Sequence, residues 1–308
     1  MTTILIDGTN IFTMQHTANP ATDNNGNLIG GTQGFLIKMA NVCKEIQPLK
    51  VIVFFDGAGG SLARREFKKD YKKGRRPRFF AGGRFDLVNE KNYEQNKQWQ
   101  HETLKQLLDL LPINTITTNG FEADDGIGYL VKHREFFGLG DIVILSSDKD
   151  FIQLISDHVK IYHAQLKVLL DADAVHAKHG VMPQHWALYR AISGDPADNI
   201  KGCGGVGPVK FKEIFSAMEQ ELSPDDLIEN LSEHKSYSKI WANKSLIEDN
   251  YKLIDLKNPM MSMHAKEALE KSIKSFEPKF KKFEFLRKLI DLGITVNFNM
   301  FDVFLRLI

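Results

Sequence analysis

The apolar positions of this chain fall into short unbroken runs, and three of those runs end in an acid. Ile4-Leu5-Ile6 leads to Asp7, and Val51-Ile52-Val53-Phe54-Phe55 leads to Asp56. Ile142-Val143-Ile144-Leu145 leads through Ser146-Ser147 to Asp148 and Asp150. Short apolar runs bounded by polar residues read as strands buried on both faces, the kind found in parallel sheets. Between the first two runs, Phe35, Met39, Val42 and Ile46 recur at helical spacing, and Pro48 stops the helix. This predicts a βαβ unit. Helices are also expected from Trp99 to Leu111, from Asp171 to Lys178 with Asp171 as cap, from Pro183 to Ile192, and from Phe211 to about Met218. Thr115 to Thr118 reads as a short strand, and Val159–Tyr162 with Lys167–Leu170 as a hairpin. Phe283, Leu286, Leu289 and Ile290 form a stripe expected to face the core, and the apolar stretch from Ile294 to Ile308 is expected to pack back on the body.

The acids give this α/β pattern its chemistry. In open α/β sheets, ligands bind beyond the carboxyl ends of the strands. Three strand ends would deliver Asp7, Asp56, Asp148 and Asp150 to one edge. If the chain stays extended, Asp148 and Asp150 point the same way. Two more clusters follow, Glu122-Ala123-Asp124-Asp125 and Asp195-Pro196-Ala197-Asp198. Any single Asp serves readily as a cap or turn residue. Three acids in four residues exceed what a cap needs. Nine carboxylates in one cleft repel one another unless cations lie between them. Oxygen donors without sulfur suit Mg²⁺ or Mn²⁺. The count suits two ions ~4 Å apart, which would activate water and stabilise charge on a phosphate.

Charge placement extends this reading. The chain has 308 residues and a net charge of +1, enough for one large domain or two smaller ones. Between Arg64 and Arg78, nine Lys or Arg face two acids. A charge run is ordinarily a solvated helix face. This one begins eight residues after Asp56 and is too poor in apolar residues to be a core helix, so a projecting surface for backbone phosphates is favoured. Lys72 and Arg75 are the candidates to stabilise transition-state charge. A second basic tract runs from Lys271 to Lys288. Gly202 to Gly207 is a glycine-rich turn opening a helix, which would offer N–H groups to a phosphate, although a plain glycine turn accounts for it equally. Cys43 and Cys203 make no disulfide framework and point to a reducing compartment. No signal sequence and no apolar run of ~18 residues are evident, so a cytoplasmic protein without membrane association is expected. His176 and His179 lack zinc partners, and Ser146-Ser147 lack a nucleophile elbow.

Taken together, the motifs resemble the 5′-nuclease superfamily, the flap endonucleases and 5′→3′ exonucleases. The residues that carry the likeness are Leu5-Ile6-Asp7-Gly8-Thr9-Asn10, Phe54-Phe55-Asp56-Gly57, Arg64-Arg65 with Tyr71-Lys72-Lys73-Gly74-Arg75, Glu122-Ala123-Asp124-Asp125, Ser147-Asp148-Lys149-Asp150-Phe151, Gly194-Asp195 with Asp198-Asn199-Ile200, and Gly205-Val206-Gly207. They span about the first 215 residues, and the stand-alone size is similar to that of the phage enzymes, which would act in the host cytoplasm. The resemblance implies a mixed, mainly parallel sheet flanked by helices, with a helical arch at about 62–100. It implies a nuclease core over 1–190 and a helical region over 191–308 that holds a helix-hairpin-helix motif at about 191–220. It implies Asp7, Asp56, Glu122 and Asp124 at a first metal site and Asp148, Asp150 and Asp198 at a second, with Asp125 and Asp195 in supporting roles. It implies Lys72 and Arg75 at the scissile phosphate, and DNA contacts from Arg64, Arg65, Tyr71, Lys73, Arg76, Gly202, Gly205, Gly207 and Lys210. Mg²⁺ would be the cofactor with Mn²⁺ as substitute, and K⁺ sits at the hairpin in some members. The expected partners are branched or 5′-ended DNA and RNA–DNA hybrid, for a monomer working beside single-stranded-DNA-binding or other replication proteins. A PIN-type ribonuclease and a non-catalytic structure-specific DNA-binding protein are the alternatives. The basic arch weighs against the first, the unbroken acid clusters against the second.

Overall fold

The computed structural model describes residues 1–73, 90–206 and 238–308, together with 209, 211 and 213. The chain opens with strand β1 (Thr2–Asp7), helices α1 (Gly8–Ala18) and α2 (Gly30–Ile46), and strand β2 (Lys50–Phe55). A short helix α3 (Leu62–Phe67) and a long helix α4 (Glu90–Leu108) precede β3 (Asn114–Thr117) and α5 (Ala123–Lys132). Strand β4 (Asp141–Ser146), a 3-10 turn (Asp150–Leu154) and the pair β5 (Val159–His163) and β6 (Val168–Leu170) follow. Next come α6 (Ala172–His179), α7 (Trp186–Ser193) and the two-residue strands β7 (Gly194–Asp195) and β8 (Ile200–Lys201). The remainder comprises α8 (Ser238–Ala242), α9 (Lys244–Ile254), α10 (Met263–Ser275), α11 (Lys282–Asp291) and a 3-10 segment (Phe298–Leu307).

Six strands form one sheet in the order β3-β2-β1-β4-β5-β6. The first five are parallel, and β6 runs antiparallel to β5. The sheet is therefore mixed and mainly parallel. Alternation along the strands divides the core in two. Leu5, Ile52, Phe54, Ile142 and Ile144 face one side, where α5, α7, α9 and α10 pack through Ile127, Leu188, Leu253 and Leu269. Ile4, Ile6, Val53, Phe55 and Leu145 face the other, beneath α1, α2, α4 and α11. With both faces covered, an unbroken apolar run is what such a strand requires. Residues beyond 238 contribute to both layers, Ile247 and Leu253 to one, Phe285, Phe301 and Phe304 to the other.

Three elements depart from the apolar periodicity. Helix α2 begins at Gly30, five residues before Phe35. Its first turn is glycine-rich because a Cβ on Gly30 would lie 2.0 Å from the Asn19 carbonyl oxygen. Glycines carry no apolar signal, so the pattern does not record them. Helix α4 is already formed at Glu90, nine residues before Trp99. It is held by Gln100, whose Oε1 accepts from the N–H groups of Gly31 (2.8 Å) and Thr32 (3.2 Å). On α11 the buried face is Phe285 and Leu289, while Phe283 is 89% exposed and Ile290 59% exposed. The 3-10 segment selects that face, with Phe285 and Phe301 rings edge-to-face at 4.9 Å. The apolar end thus packs on the body, as its composition requires. Most of the helix expected from Phe211 to Met218 and the middle of the expected arch lie outside the described residues. No helix among the described residues is long and apolar enough to cross a membrane.

Candidate active site

The strand order reverses between β1 and β4, since the chain leaves β1 toward β2 and β3 and returns to β4 on the other side. Strand ends at such a point splay their following loops apart and leave a crevice. Asp7 ends β1 there and caps α1. Its Oδ1 accepts from the Asn10 N–H at 3.0 Å, and its Oδ2 from the Ser146 hydroxyl at 3.0 Å. The Asn10 side chain in turn accepts from both the N–H (3.1 Å) and the hydroxyl (2.8 Å) of Ser147. The two strand ends are therefore locked together. Asp56 follows β2; its Oδ1 accepts from the Ala123 N–H at 2.8 Å and so ties β2 to the start of α5. Asp148 accepts from the Asp150 N–H at 2.9 Å. The chain is not extended here. Lys149 turns at φ −77°, ψ −16°, and Asp150 opens a 3-10 turn. Asp150 is thereby directed toward the loop after α7 instead of standing parallel to Asp148. Its carboxylate lies with those of Asp195 and Asp198, with one oxygen from each within 4.8 Å of the others.

Electrostatics divide these acids into two groups. Burial pushes the Asp7 carboxyl up to about 7, with Asp56 and Asp148 adding to the rise against opposing hydrogen bonds from Asn10 and Ser146. Burial, then Asp7 and Asp148, push Asp124 well above the carboxylate range. Burial and Asp148 raise Asp150 to about 7 despite Arg190. Glu122 behaves oppositely. Burial would raise it, but Lys72 and Arg64 outweigh that and hold it below its usual value. Lys72 Nζ sits 2.8 Å from Glu122 Oε1, Arg64 Nη1 3.2 Å from its Oε2, and the Ser61 and Tyr71 hydroxyls also donate to it.

The structure brings Asp7, Asp124, Asp148, Asp150 and Asp198 to one crevice, with Asp56 at its rim. It changes the reading of Arg64 and Tyr71 and shows what Asp125 supports. Arg64, expected at DNA, is 3% exposed and makes a two-pronged pair with Asp125 at 2.6 and 2.8 Å. Its Nε donates to the Leu253 carbonyl at 3.0 Å. A guanidinium so enclosed braces α3 against α5 and α9 and does not reach a phosphate. Asp125, expected in a supporting role beside the metal acids, is fully buried, and both its oxygens go to Arg64. Tyr71, expected at DNA, is 4% exposed, and its hydroxyl goes to Glu122.

Lys72 stands between the two groups. Its N–H donates to the Asp198 carbonyl at 3.0 Å, and its Nζ is 4.0 Å from Asp198 Oδ2. The Asn199 side chain donates to the Asp70 carbonyl at 2.9 Å, so the segment after α3 is stitched to the Asp198 loop. Arg65 and Lys73 are exposed. Gly205 is exposed on the turn after β8. Gly202 has a packing reason to be glycine, because a Cβ there would meet the Ser193 carbonyl oxygen at 2.2 Å. Arg75, Arg76, Gly207 and Lys210 lie outside the described residues. Sequence reasoning missed Arg190, which pairs with Asp195 and approaches Asp150 at 3.5 Å. A basic residue in the last turn of the helix before Asp195 was the available signal. It also missed Asn250, fully buried on α9, which donates to the carbonyls of Ala191 (2.9 Å) and Lys201 (2.8 Å). Nothing in the pattern of α9 marked it.

The donor set fits hard divalent cations. Every donor is a carboxylate oxygen, and Asp150 Oδ1 is buried without a hydrogen bond among the described residues. A buried, unsatisfied anion beside other anions is stabilised by a cation with oxygen preference.

Known proteins resemble this chain in fold and in sequence. The solved structure of the T5 D15 protein co-crystallised with metal ions is similar in fold, with a TM-score of 0.68 at 21% identity over 94% of this chain and 99% of that one. The 5′-3′ exonuclease of Buchnera aphidicola subsp. Acyrthosiphon pisum is 31% identical over 235 residues, 76% of this chain and 75% of that protein. The thermostable DNA polymerase I of Thermus filiformis is 30% identical over 253 residues, 82% of this chain. The chain spans only 28% of the length of that polymerase. The family described as 5′-3′ exonuclease, N-terminal resolvase-like domain, matches residues 2–180, and with that match over more than half its length the chain belongs to the 5′-3′ exonuclease family.

Proposed function

We propose that this protein is a structure-specific 5′ nuclease, a flap endonuclease and 5′→3′ exonuclease that hydrolyses phosphodiesters near the 5′ ends of branched, nicked or RNA-primed DNA. The observation that carries the reading is the crevice at the strand-order reversal, where burial and the nearby Asp148 carboxylate raise the proton affinity of Asp7, Asp124 and Asp150. Asp7, Asp56, Asp124, Asp148, Asp150 and Asp198 would hold two Mg²⁺ ions, with Mn²⁺ as substitute. When bound, such ions supply Lewis-acid activation of water and neutralise charge on the phosphate.

The chain's own residues do the rest. Lys72, between the Glu122 and Asp198 carboxylates, is within a side-chain movement of a phosphate lodged in the crevice. There it stabilises negative charge on the non-bridging oxygens. Glu122 and Tyr71 position Lys72 and leave the direct donation to it. Arg64 and Asp125 hold α3, and with it the foot of the arch, at a fixed height over the acids. Arg75 and Arg76 extend the basic run. Arg65 and Lys73 meet backbone phosphates from the surface, and Gly202 to Lys210 grips the duplex with a K⁺ ion. The protein works as a monomer in the cytoplasm on DNA or on the RNA end of an RNA–DNA hybrid, beside single-stranded-DNA-binding protein.

One experiment tests this. A 5′-end-labelled flap duplex is incubated with the protein in Mg²⁺, in EDTA, and beside single-stranded RNA of the same length. Cleavage near the junction in Mg²⁺ alone is expected. Equal cutting of the RNA would favour a PIN-type ribonuclease, and tight binding without cutting would favour a non-catalytic junction binder.

A further inference from the structure

Lys72 stands in a backbone conformation that its residue type does not favour. The Lys73 N–H donates to the Asp70 carbonyl at 3.1 Å and closes a four-residue turn whose third residue is Lys72. Lys72 has a φ of 54° there. A turn with positive φ at its third place ordinarily takes Gly or Asn, because a Cβ crowds the following carbonyl. Such a conformation persists only where the surrounding structure holds it. Two bonds from one neighbouring segment do so. The Lys72 N–H donates to the Asp198 carbonyl at 3.0 Å, and the Asn199 side chain donates to the Asp70 carbonyl at 2.9 Å. The turn is thus gripped at its first and third residues. Asn199 is itself left-handed, at φ 58° and ψ 34°, a conformation that Asn tolerates. The β7–β8 hairpin that carries it is anchored by Asn250, whose side chain donates to the carbonyls of Ala191 and Lys201 and accepts from Lys68 Nζ at 3.1 Å.

We infer that Asn199 is a positioning residue that holds the turn of Lys72 in its left-handed form and so aims the lysine into the crevice. This rests on the reading of Lys72 as the group that meets the phosphate, and it adds the residue that directs that group. A left-handed backbone sends the Cα–Cβ bond in a direction that right-handed or extended backbone does not offer. From there Lys72 Nζ reaches Glu122 Oε1 at 2.8 Å, with only 16% of the side chain exposed. A turn released from Asn199 relaxes toward negative φ and carries the ammonium off that line. Glycine at position 72 would remove the strain and the charge together. The chain keeps the charge and supplies a clasp instead. The Asn199 amide is directed at the Asp70 carbonyl, so it acts through the turn and not on the reacting atoms.

A double-mutant cycle separates aiming Lys72 from merely supporting the adjacent Asp198. Single-turnover cleavage of a 5′-flap duplex is followed over a range of Mg²⁺ for the full chain, Asn199→Gly, Lys72→Ala and the double variant. Glycine keeps the positive φ and deletes only the side-chain amide. Asn199→Gly is expected to cut about fivefold more slowly, ~1 kcal/mol in barrier terms. Its gel-shift affinity for the flap in EDTA and its Mg²⁺ concentration for half-maximal rate are expected to match wild type. In the Lys72→Ala background the same change is expected to cost less than about twofold, because no ammonium remains to be aimed. An unchanged rate in Asn199→Gly overturns the inference. So does an equal loss in both backgrounds, or a raised Mg²⁺ requirement, which would make Asn199 a support for Asp198. If Asn199→Gly fails to fold in a thermal melt, Asn199→Asp takes its place in the cycle, since Asp tolerates the same turn and cannot donate. A Lys72→Ala chain that cuts at the wild-type rate would overturn the reading of Lys72 itself, an outcome distinct from a failure confined to Asn199→Gly.

Discussion

Two groups of buried and half-buried carboxylates lie side by side in this crevice, and they are treated in opposite ways. Glu122 and Asp125 are matched inside the protein by Arg64 and Lys72, with Ser61 and Tyr71 completing the hydrogen bonds. Asp7, Asp124 and Asp148 have no ion pair among the described residues, and burial with mutual repulsion raises the first two. A buried ion pair is costly to break because one charge is left uncompensated. A buried unpaired anion is costly as it stands. Among the described residues the first group is matched within the protein, whereas the second has no internal ion pair and is the group that the proposed cations would satisfy. Motif resemblance divides the nine acids between two sites and supporting roles; the positions of Arg64 and Lys72 show that Glu122 and Asp125 are matched within the protein.

Breaking each half of that contrast should have a different signature. The largest effect is expected from Asp148→Ala, which removes a carboxylate of the unmatched group. Cleavage of a flap substrate should fall by at least about 10³-fold, ~4 kcal/mol in barrier terms, while gel-shift binding of the same DNA survives. Retained Mg²⁺-dependent cutting would argue against the assignment of the group. Next, Arg64→Met leaves Asp125 and Glu122 short of a cation. It should destabilise the fold by about 3–5 kcal/mol in urea unfolding, far more than an exposed Arg65→Met. Similar losses in the two variants would remove Arg64 from the scaffold. Lys72→Ala sits on the boundary. It should lower kcat by about 10²–10³-fold, ~2.7–4 kcal/mol, with a much smaller change in DNA affinity. Equal losses in rate and binding would make Lys72 a tether.

The smallest of these effects tests whether acid sensitivity comes only from the carboxylates. His16 is buried against Tyr93 and Phe12, and burial, then Lys97, lower its pKa to about 4. The unfolded chain takes up this proton near its ordinary value, so stability from neutral His16 is complete above about 6.5 and is lost as pH falls toward 4. In EDTA the wild-type protein should lose roughly 2–3 kcal/mol over that range through this group. His16→Phe should flatten the profile in thermal melts, and an unchanged slope would assign the whole loss elsewhere.

Much of the fold was readable because its strands are buried on both faces. Ile4 to Ile6 and Ile142 to Leu145 admit no polar residue, so their apolar runs marked both the strands and the acids at their ends. Asp171 was legible as a cap, and it accepts from the Ala174 N–H at 2.9 Å. Helix α11 was legible as a helix but not in its facing. Its apolar residues surround more than one face, and Phe301 and Phe304, which choose between faces, arrive from a separate segment. The start of α4 was not legible because its early residues are polar and are held by Asn96 and Gln100 reaching other parts of the chain, at 2.9 Å to the Leu28 carbonyl and 2.8 Å to the Gly31 N–H.

By itself the order of residues determined the parallel sheet, the edge at which acids would gather and the kind of ion such oxygens prefer. These follow from local periodicity and from donor chemistry, which a linear chain displays. Only the folded chain decided which acids are spoken for. Arg64 lies 61 residues from Asp125, and the Arg190 guanidinium reaches Asp150 across 40 positions. Charge compensation depends on distances of a few ångströms between residues far apart in sequence, and no pattern along the chain encodes those distances directly.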